Sequence, residues 1–302
     1  MPEQIFEGIM TPLLVPLDKE ERVIERDLES LCRELLTRGI KAFLVPSGTG
    51  EFYNLTYEER RRAIETVVRV AKGRALIVAM VSDCGTRNAL RHIAAAREAG
   101  AEAVMANPPY YVPVDQQGLK GFFTTLADEG GLPLWLYHQP FHTQLQIEPR
   151  TVSALAENPN IVGIKASANV DICYFHHVLR AVRHKPEFRV LMGEDVNALS
   201  GLILGGHGMV STLSNLIPEE FVLIWDALKC RDIDSGRRIQ DHIADVEELV
   251  ISGCSGSWEA ASKYILKKRG IFSSTIVSSP LPALTQSDIQ KLESRGRELG
   301  LF

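Results

Sequence analysis

The most constraining feature of this chain is an alternation. Short apolar runs recur along it, each separated from the next by a longer amphipathic stretch. Eight runs read as strands: 8–15, 42–46, 75–81, 103–106, 133–137, 161–165, 189–192 and 208–211. Their near-continuous apolar character fits strands covered on both faces, as in parallel sheets. Helical periodicity fills the intervals at about 25–38, 56–72, 86–99, 116–129, 149–157, 171–183, 196–204 and 218–230. Gly39, Gly73, Gly100 and Gly205 each stand just before a strand, where a helix stop is expected. Thr56-Tyr57-Glu58-Glu59 has the pattern of a capping box.

Eight strand–helix repeats predict an α/β chain with a closed (β/α)8 TIM barrel over residues 1–230. An open doubly wound sheet is the competitor, but no dinucleotide fingerprint is present. Residues 231–302 read as a C-terminal helical domain, with helices over 232–250 and 255–269 and a third capped by Thr285-Gln286-Ser287-Asp288.

Composition narrows the partners. A net charge of -5 argues against a nucleic-acid or anionic-membrane partner. No apolar run approaches the roughly 18 residues of a membrane span. The opening MPEQIFEG has neither the basic end nor the apolar stretch of a signal peptide. The five cysteines, Cys32, Cys84, Cys173, Cys230 and Cys254, form no CxxC motif. Free thiols and a cytoplasmic location are expected.

In such a barrel the strand C-termini carry the chemistry. The sixth strand ends in Lys165, after Ile161-Val162-Gly163-Ile164. An amine held against apolar walls is disfavoured as the cation, and a fraction becomes a neutral nucleophile. The bland alternative is a strand-end lysine that reaches out to water. The fifth strand ends in Tyr137, 28 residues earlier. An amine and a phenol at one rim can form a Schiff base with a 2-keto acid and move its protons.

The other strand ends are less specific. Ser47-Gly48-Thr49-Gly50-Glu51 could cradle a carboxylate with backbone N–H and hydroxyl groups, or be a plain glycine-rich turn. Prolines flank Tyr110-Tyr111 and stiffen a loop that presents phenols. Asp195 follows Met192-Gly193-Glu194 and is a candidate for substrate contact or for a helix N-cap. His138 and His142 lack a third ligand, so no metal is expected. Cys84 has no basic partner and reads as an inert thiol.

Together these segments resemble the dihydrodipicolinate synthase / N-acetylneuraminate lyase family, the Schiff-base class I lyases. The likeness runs nearly end to end. It rests on the Gly-x-Lys strand, the tyrosine before it, the Gly-Thr-Gly-Glu loop and the Pro-Tyr-Tyr loop. The resemblance implies Lys165 as the Schiff-base lysine and Tyr137 as the proton shuttle. It implies Ser47, Gly48 and Thr49 as the carboxylate cradle, with the Val210 carbonyl facing the keto acid. Tyr111 resembles the tyrosine lent across a dimer interface, so a homodimer or homotetramer is expected. The covalent imine implies that no separate cofactor is needed.

Three departures bear on the substrate. The family loop reads Gly-Thr-Thr-Gly-Glu or Gly-Ser-Thr-Gly-Glu, whereas Gly48 replaces its first hydroxyl here, so a Tyr–Thr–Tyr relay needs Ser47 or water to be complete. Lysine-pathway synthases carry an arginine five residues after the tyrosine, to grip a second carboxylate; that position is His142. Sialic-acid lyases carry Asp-Glu after the glycine of strand seven; Asp195 matches the first and Val196 replaces the second. These features point to an aldolase acting on pyruvate or a small 2-keto acid, a 2-keto-3-deoxy sugar acid among the candidates. A sugar-acid dehydratase, a dihydrodipicolinate synthase-like enzyme, or a non-catalytic keto-acid-binding protein are the alternatives.

Overall fold

The structure, a computed structural model, describes residues 6–167 and 171–302. Most of the opening MPEQIFEG segment therefore lies outside the described residues. Eight parallel strands close into a barrel in sequence order: β1 (Gly8–Pro12), β2 (Ala42–Val45), β3 (Leu76–Met80), β4 (Ala103–Ala106), β5 (Leu134–His138), β6 (Ile161–Ala166), β7 (Arg189–Met192) and β8 (Gly208–Val210). The last strand pairs with the first, with Gly8 opposite Gly208. The two glycines come so close that a Cβ on Gly208 would lie 2.0 Å from the Gly8 carbonyl oxygen.

Strand periodicity sorts the side chains into two cores. Leu44, Val78, Met80, Met105, Trp135, Tyr137, Leu191 and Val210 fill the barrel interior. Phe43, Val45, Ile77, Val104, Leu134, Leu136 and Val190 point outward, into the larger core shared with the helices. Both faces of each strand are therefore apolar, which is why the strands read as runs.

The helices are α1 (Glu25–Thr37), α2 (Tyr57–Ala71), α3 (Thr86–Ala99), α4 (Gln116–Gly130), α5 (Pro140–Thr143), α6 (Pro149–Leu155), α7 (Ile172–Val182), α8 (Ala198–Ile203) and α9 (Pro218–Lys229) around the barrel. Then come α10 (Ile233–Glu247), α11 (Trp258–Lys268) and α12 (Gln286–Glu298). The four predicted stop glycines all carry positive φ. At Gly100 the N–H donates to the Ala96 and Arg97 carbonyls, closing α3 before β4.

Some local expectations are corrected. Thr56 does cap α2, accepting from Glu59 N–H at 3.2 Å. The reciprocal half is missing, because the Glu59 carboxylate instead accepts from Val23 N–H at 2.7 Å. The helix expected over 232–250 is α-helical only to Glu247 and continues as a π turn, Glu248–Ser252. Thr285 and Asp288 form a complete capping box at α12. Among the described residues no helix is long and apolar enough to cross a membrane.

Candidate active site

The register between β5 and β6 builds the centre of the site. Leu134 pairs with Ile161, but Trp135 pairs with Gly163, so Val162 is left over as a bulge. From there on the register is advanced by one, and Tyr137 lies opposite Lys165. Without the bulge Tyr137 would face Ile164, whose side chain points out of the barrel. Gly163 makes the arrangement possible, since a Cβ there would lie 2.4 Å from the Trp135 ring. Lys165 is 6% exposed and its Nζ donates to the Tyr137 hydroxyl at 2.9 Å.

Space for the lysine comes from β7. A Cβ on Gly193 would lie 2.9 Å from Lys165 Cε and 1.8 Å from Ser167 Oγ. Any side chain at Gly193 would press on both Ser167 and the Lys165 side chain.

The cradle loop follows β2. Gly50 N–H and Phe52 N–H donate to the Ser47 carbonyl, and Glu51 N–H to the Gly48 carbonyl. Among the described residues, the N–H groups of Gly48 and Thr49 have no acceptor. Two successive free N–H groups form a nest for an anion. A Cβ at Gly48 would meet nothing within 4 Å, so the hydroxyl absent there leaves open space. Thr49 Oγ1 lies 3.2 Å from Thr212 Oγ1.

Behind the loop, Glu51 is fully buried and paired with the equally buried Lys263 of α11. Its other carboxylate oxygen accepts from Ser278 N–H at 2.6 Å and Ser278 Oγ at 2.7 Å. Lys263 Nζ also donates to the Ile276 carbonyl at 2.8 Å. The C-terminal helices are thus bolted to the back of the cradle.

These parts open on a cavity of about 520 Å³. Ser47, Gly48, Thr49, Tyr137, His142, Lys165 and Asp195 all line it. Val210 and Tyr111 do not: Val210 is buried in the barrel wall, and Tyr111 is 84% exposed on the loop after β4. Tyr110, its neighbour, lines the cavity instead. Burial and the Cys84 thiol beside it push the Tyr110 phenol up to about 12.

His142 sits at the mouth on α5, where partial burial and the nearby Lys165 hold its imidazole below the usual histidine value. Its predecessor His138 is fully buried, stacks on Tyr174 at 3.9 Å and accepts from Ile147 N–H at 3.2 Å through Nδ1. Burial lowers it to about 4. Both rings are neutral near pH 7. Among the described residues no cluster of His, Cys, Asp or Glu is arranged to hold a metal.

The chain matches the Dihydrodipicolinate synthetase family over residues 5–297. It belongs to that family. Members of the family are lyases and aldolases of the class I type. A 4-hydroxy-tetrahydrodipicolinate synthase of Staphylococcus haemolyticus is 35% identical, over 82% of this chain and 81% of the relative. One from Staphylococcus saprophyticus is 33% identical, over 96% and 95% of the two chains. The structure of dihydrodipicolinate synthase from the commensal bacterium Bacteroides thetaiotaomicron superposes with a TM-score of 0.92 at 31% identity, covering 97% of this chain and 98% of that one.

Within this family site, several lining residues were not singled out from the sequence. Glu194 stands beside the chosen Asp195, and Tyr110 beside the chosen Tyr111. Glu247, Ile251, Trp258 and Glu259 come from the C-terminal helices and the π turn. The strand-end rule does not reach them, because they lie outside the barrel. Asp195 accepts from Leu213 N–H at 3.0 Å and so ties the ends of β7 and β8 together. It starts a short 3-10 turn before α8, but its side chain caps no helix.

Proposed function

We propose that this chain is a Schiff-base aldolase acting on a small 2-keto acid, with pyruvate as the fragment held on Lys165 and a 2-keto-3-deoxy sugar acid as the full substrate. The observation that carries the reading is the buried amine at 2.9 Å from a phenol, beside a loop with two N–H groups that have no acceptor among the described residues.

The chemistry follows from those positions. The keto-acid carboxylate rests on Gly48 and Thr49 N–H. The lone pair of Lys165 Nζ adds to the keto carbon, and Tyr137 carries a proton to the departing oxygen. Water leaves and the imine forms. Cleavage breaks the C3–C4 bond; its electron pair runs into the imine as an enamine, and the C4 hydroxyl proton passes to Tyr137. An aldehyde departs. The enamine takes a proton at C3, and water hydrolyses the imine to release pyruvate and the free amine. The imine is the electron sink, so the reaction needs no other cofactor. If instead a C3 proton is removed from the intact imine, the resulting enamine can expel the C4 hydroxyl as water, which would make the enzyme a dehydratase; which bond breaks depends on the groups around the distal half.

The names of the curated relatives favour a second reading, 4-hydroxy-tetrahydrodipicolinate synthase. Against it stands the cavity wall. Among the described lining residues there is no arginine, and His142 occupies the place of the family's carboxylate-gripping one. A neutral imidazole lacks the bidentate, permanently charged fork that holds a carboxylate. The two readings separate in parallel assays. Cleavage of 2-keto-3-deoxy sugar acids should far exceed condensation of pyruvate with aspartate semialdehyde, and His142→Arg should improve the latter. Efficient condensation by the unaltered protein would establish the synthase.

The minimal active unit is a homodimer in this reading. Exposed Tyr111 and Val112, on a loop at the site rim, and Phe141 on α5 supply apolar area for a second copy.

A further inference from the structure

Apart from the lysine and the cradle, the cavity is acidic. Glu194 and Asp195 come from the end of β7, Glu247 from the last turn of α10, and Glu259 from α11. Lys165 is the one lysine among the described lining residues. Among the described residues no salt bridge engages Glu194, Asp195 or Glu247. Among the described residues, one oxygen of Asp195, a residue only 8% exposed, and one of Glu247 are buried without a hydrogen-bond partner. Buried acceptors of this kind are uncommon, and each calls for a donor. Burial, with Asp195 and Glu194 nearby, pushes Glu247 up to about 7; burial, with Asp195 nearby, pushes Glu194 up to about 7; burial pushes Asp195 up to about 6. The three carboxyl groups line the same cavity.

Local structure explains why Glu247 is there. It is the last α-helical residue before the π turn, and Ile251 on that turn lines the cavity with it. Single-turn π segments re-aim side chains and recur at functional sites. Trp258 adds an apolar face beside them. A cavity of about 520 Å³ has room for more than a three-carbon keto acid.

We propose that the C-terminal helices complete the substrate site: Glu247, together with Glu194, accepts hydrogen bonds from hydroxyl groups on an uncharged, polyhydroxylated distal chain and turns away a distal carboxylate. The inference rests on the imine reading above and names its substrate class. Several unpaired acceptors on two separate elements match several donors spaced along a chain. Trp258 and Ile251 match the C–H groups between those donors. A carboxylate offers no donor, and Glu194 and Glu247 repel it once they ionise.

The test uses the intact enzyme, with pyruvate as the nucleophilic partner and three aldehydes in separate condensations. Glyceraldehyde carries hydroxyls, propanal has the same length without them, and succinic semialdehyde carries a carboxylate. The expected order of kcat/KM is glyceraldehyde, then propanal, then succinic semialdehyde. Glu247→Gln, which keeps shape and so should fold, should lower the glyceraldehyde-to-propanal ratio by about tenfold, the value of a charge-assisted hydrogen bond. Glu247→Lys should raise the succinic semialdehyde-to-glyceraldehyde ratio. Borohydride trapping of pyruvate on the unaltered protein is run alongside. If trapping succeeds but neither ratio moves, or if succinic semialdehyde is the best aldehyde, this inference is overturned and the imine reading stands. If trapping fails, both fall.

Discussion

Lys165 can lie where it does because Gly193 has no side chain. Gly193 directly follows β7 and its N–H donates to the Ala166 carbonyl of β6, and a Cβ on Gly193 would stand 2.9 Å from the lysine Cε. A glycine just past the end of β7 thus makes room for a nucleophile on β6.

Gly193→Ala should therefore damage the chemistry more than the fold. Overpacking of this kind costs about 1–3 kcal/mol of stability. The imine yield should drop sharply as the amine leaves the Tyr137 hydroxyl. The check is a denaturant titration beside a trapping assay. A variant that traps pyruvate as fast as the parent would show that the neighbours absorb the methyl group.

Tyr137→Phe should lose turnover more than keto-acid binding. A positioned proton-transfer group contributes about 10²–10⁴-fold to the rate. Steady-state kinetics should show kcat falling within that range while KM changes much less. Unchanged kcat would reduce Tyr137 to a packing role.

The Glu51–Lys263 pair should matter to both stability and the cradle. Removing one partner of a buried pair leaves an uncompensated charge and costs about 3–5 kcal/mol. Lys263→Met should be destabilised to that degree, and its KM for the keto acid should rise because Glu51 shapes the loop bearing Gly48 and Thr49. The double variant Glu51→Leu/Lys263→Met should recover part of the lost stability without restoring KM. Chemical denaturation and kinetics of the parent, the two single variants Glu51→Leu and Lys263→Met, and the double variant decide it. A double variant as unstable as the sum of the singles contradicts the account.

Much of this was legible in the residues themselves. The strands were found within a few positions, because each is buried on both faces and ends at a turn or a proline. Lys165 and Tyr137 emerged from the rule that barrel chemistry sits at strand C-termini. The bulge at Val162 that brings them opposite each other has no signature in hydrophobic pattern. The short turn α5 was missed, since four residues are too few for a helical period. The aim of Glu247 was hidden for a different reason: it depends on a π turn and on how distant helices dock against the barrel mouth. The half-formed capping box at Thr56 failed because Glu59 finds a better donor in a remote segment.

The raised carboxyl groups carry a pH signature in stability. Glutamate titrates near 4.5 when unperturbed, while Glu247 in the folded cavity titrates at about 7. Between those values the folded state holds a proton that the unfolded chain has released, so folding weakens as pH rises through this window. The loss is complete above pH 7. Glu247→Gln should accordingly be more stable than the parent at pH 8, and the advantage should vanish below about pH 4.5. Thermal unfolding of both proteins across pH 4–8 gives the comparison. A constant gap, or a parent that is the more stable at pH 8, contradicts a desolvated Glu247 repelled by Glu194 and Asp195.

The central claim is that Lys165 forms an imine with a 2-keto acid, and reductive trapping tests it most directly. The protein is incubated with pyruvate and borohydride, weighed intact, and mapped by peptide mass. The account predicts one keto-acid adduct per chain, on Lys165, and none in Lys165→Ala. An adduct on another lysine, or no adduct with any 2-keto acid, would contradict it.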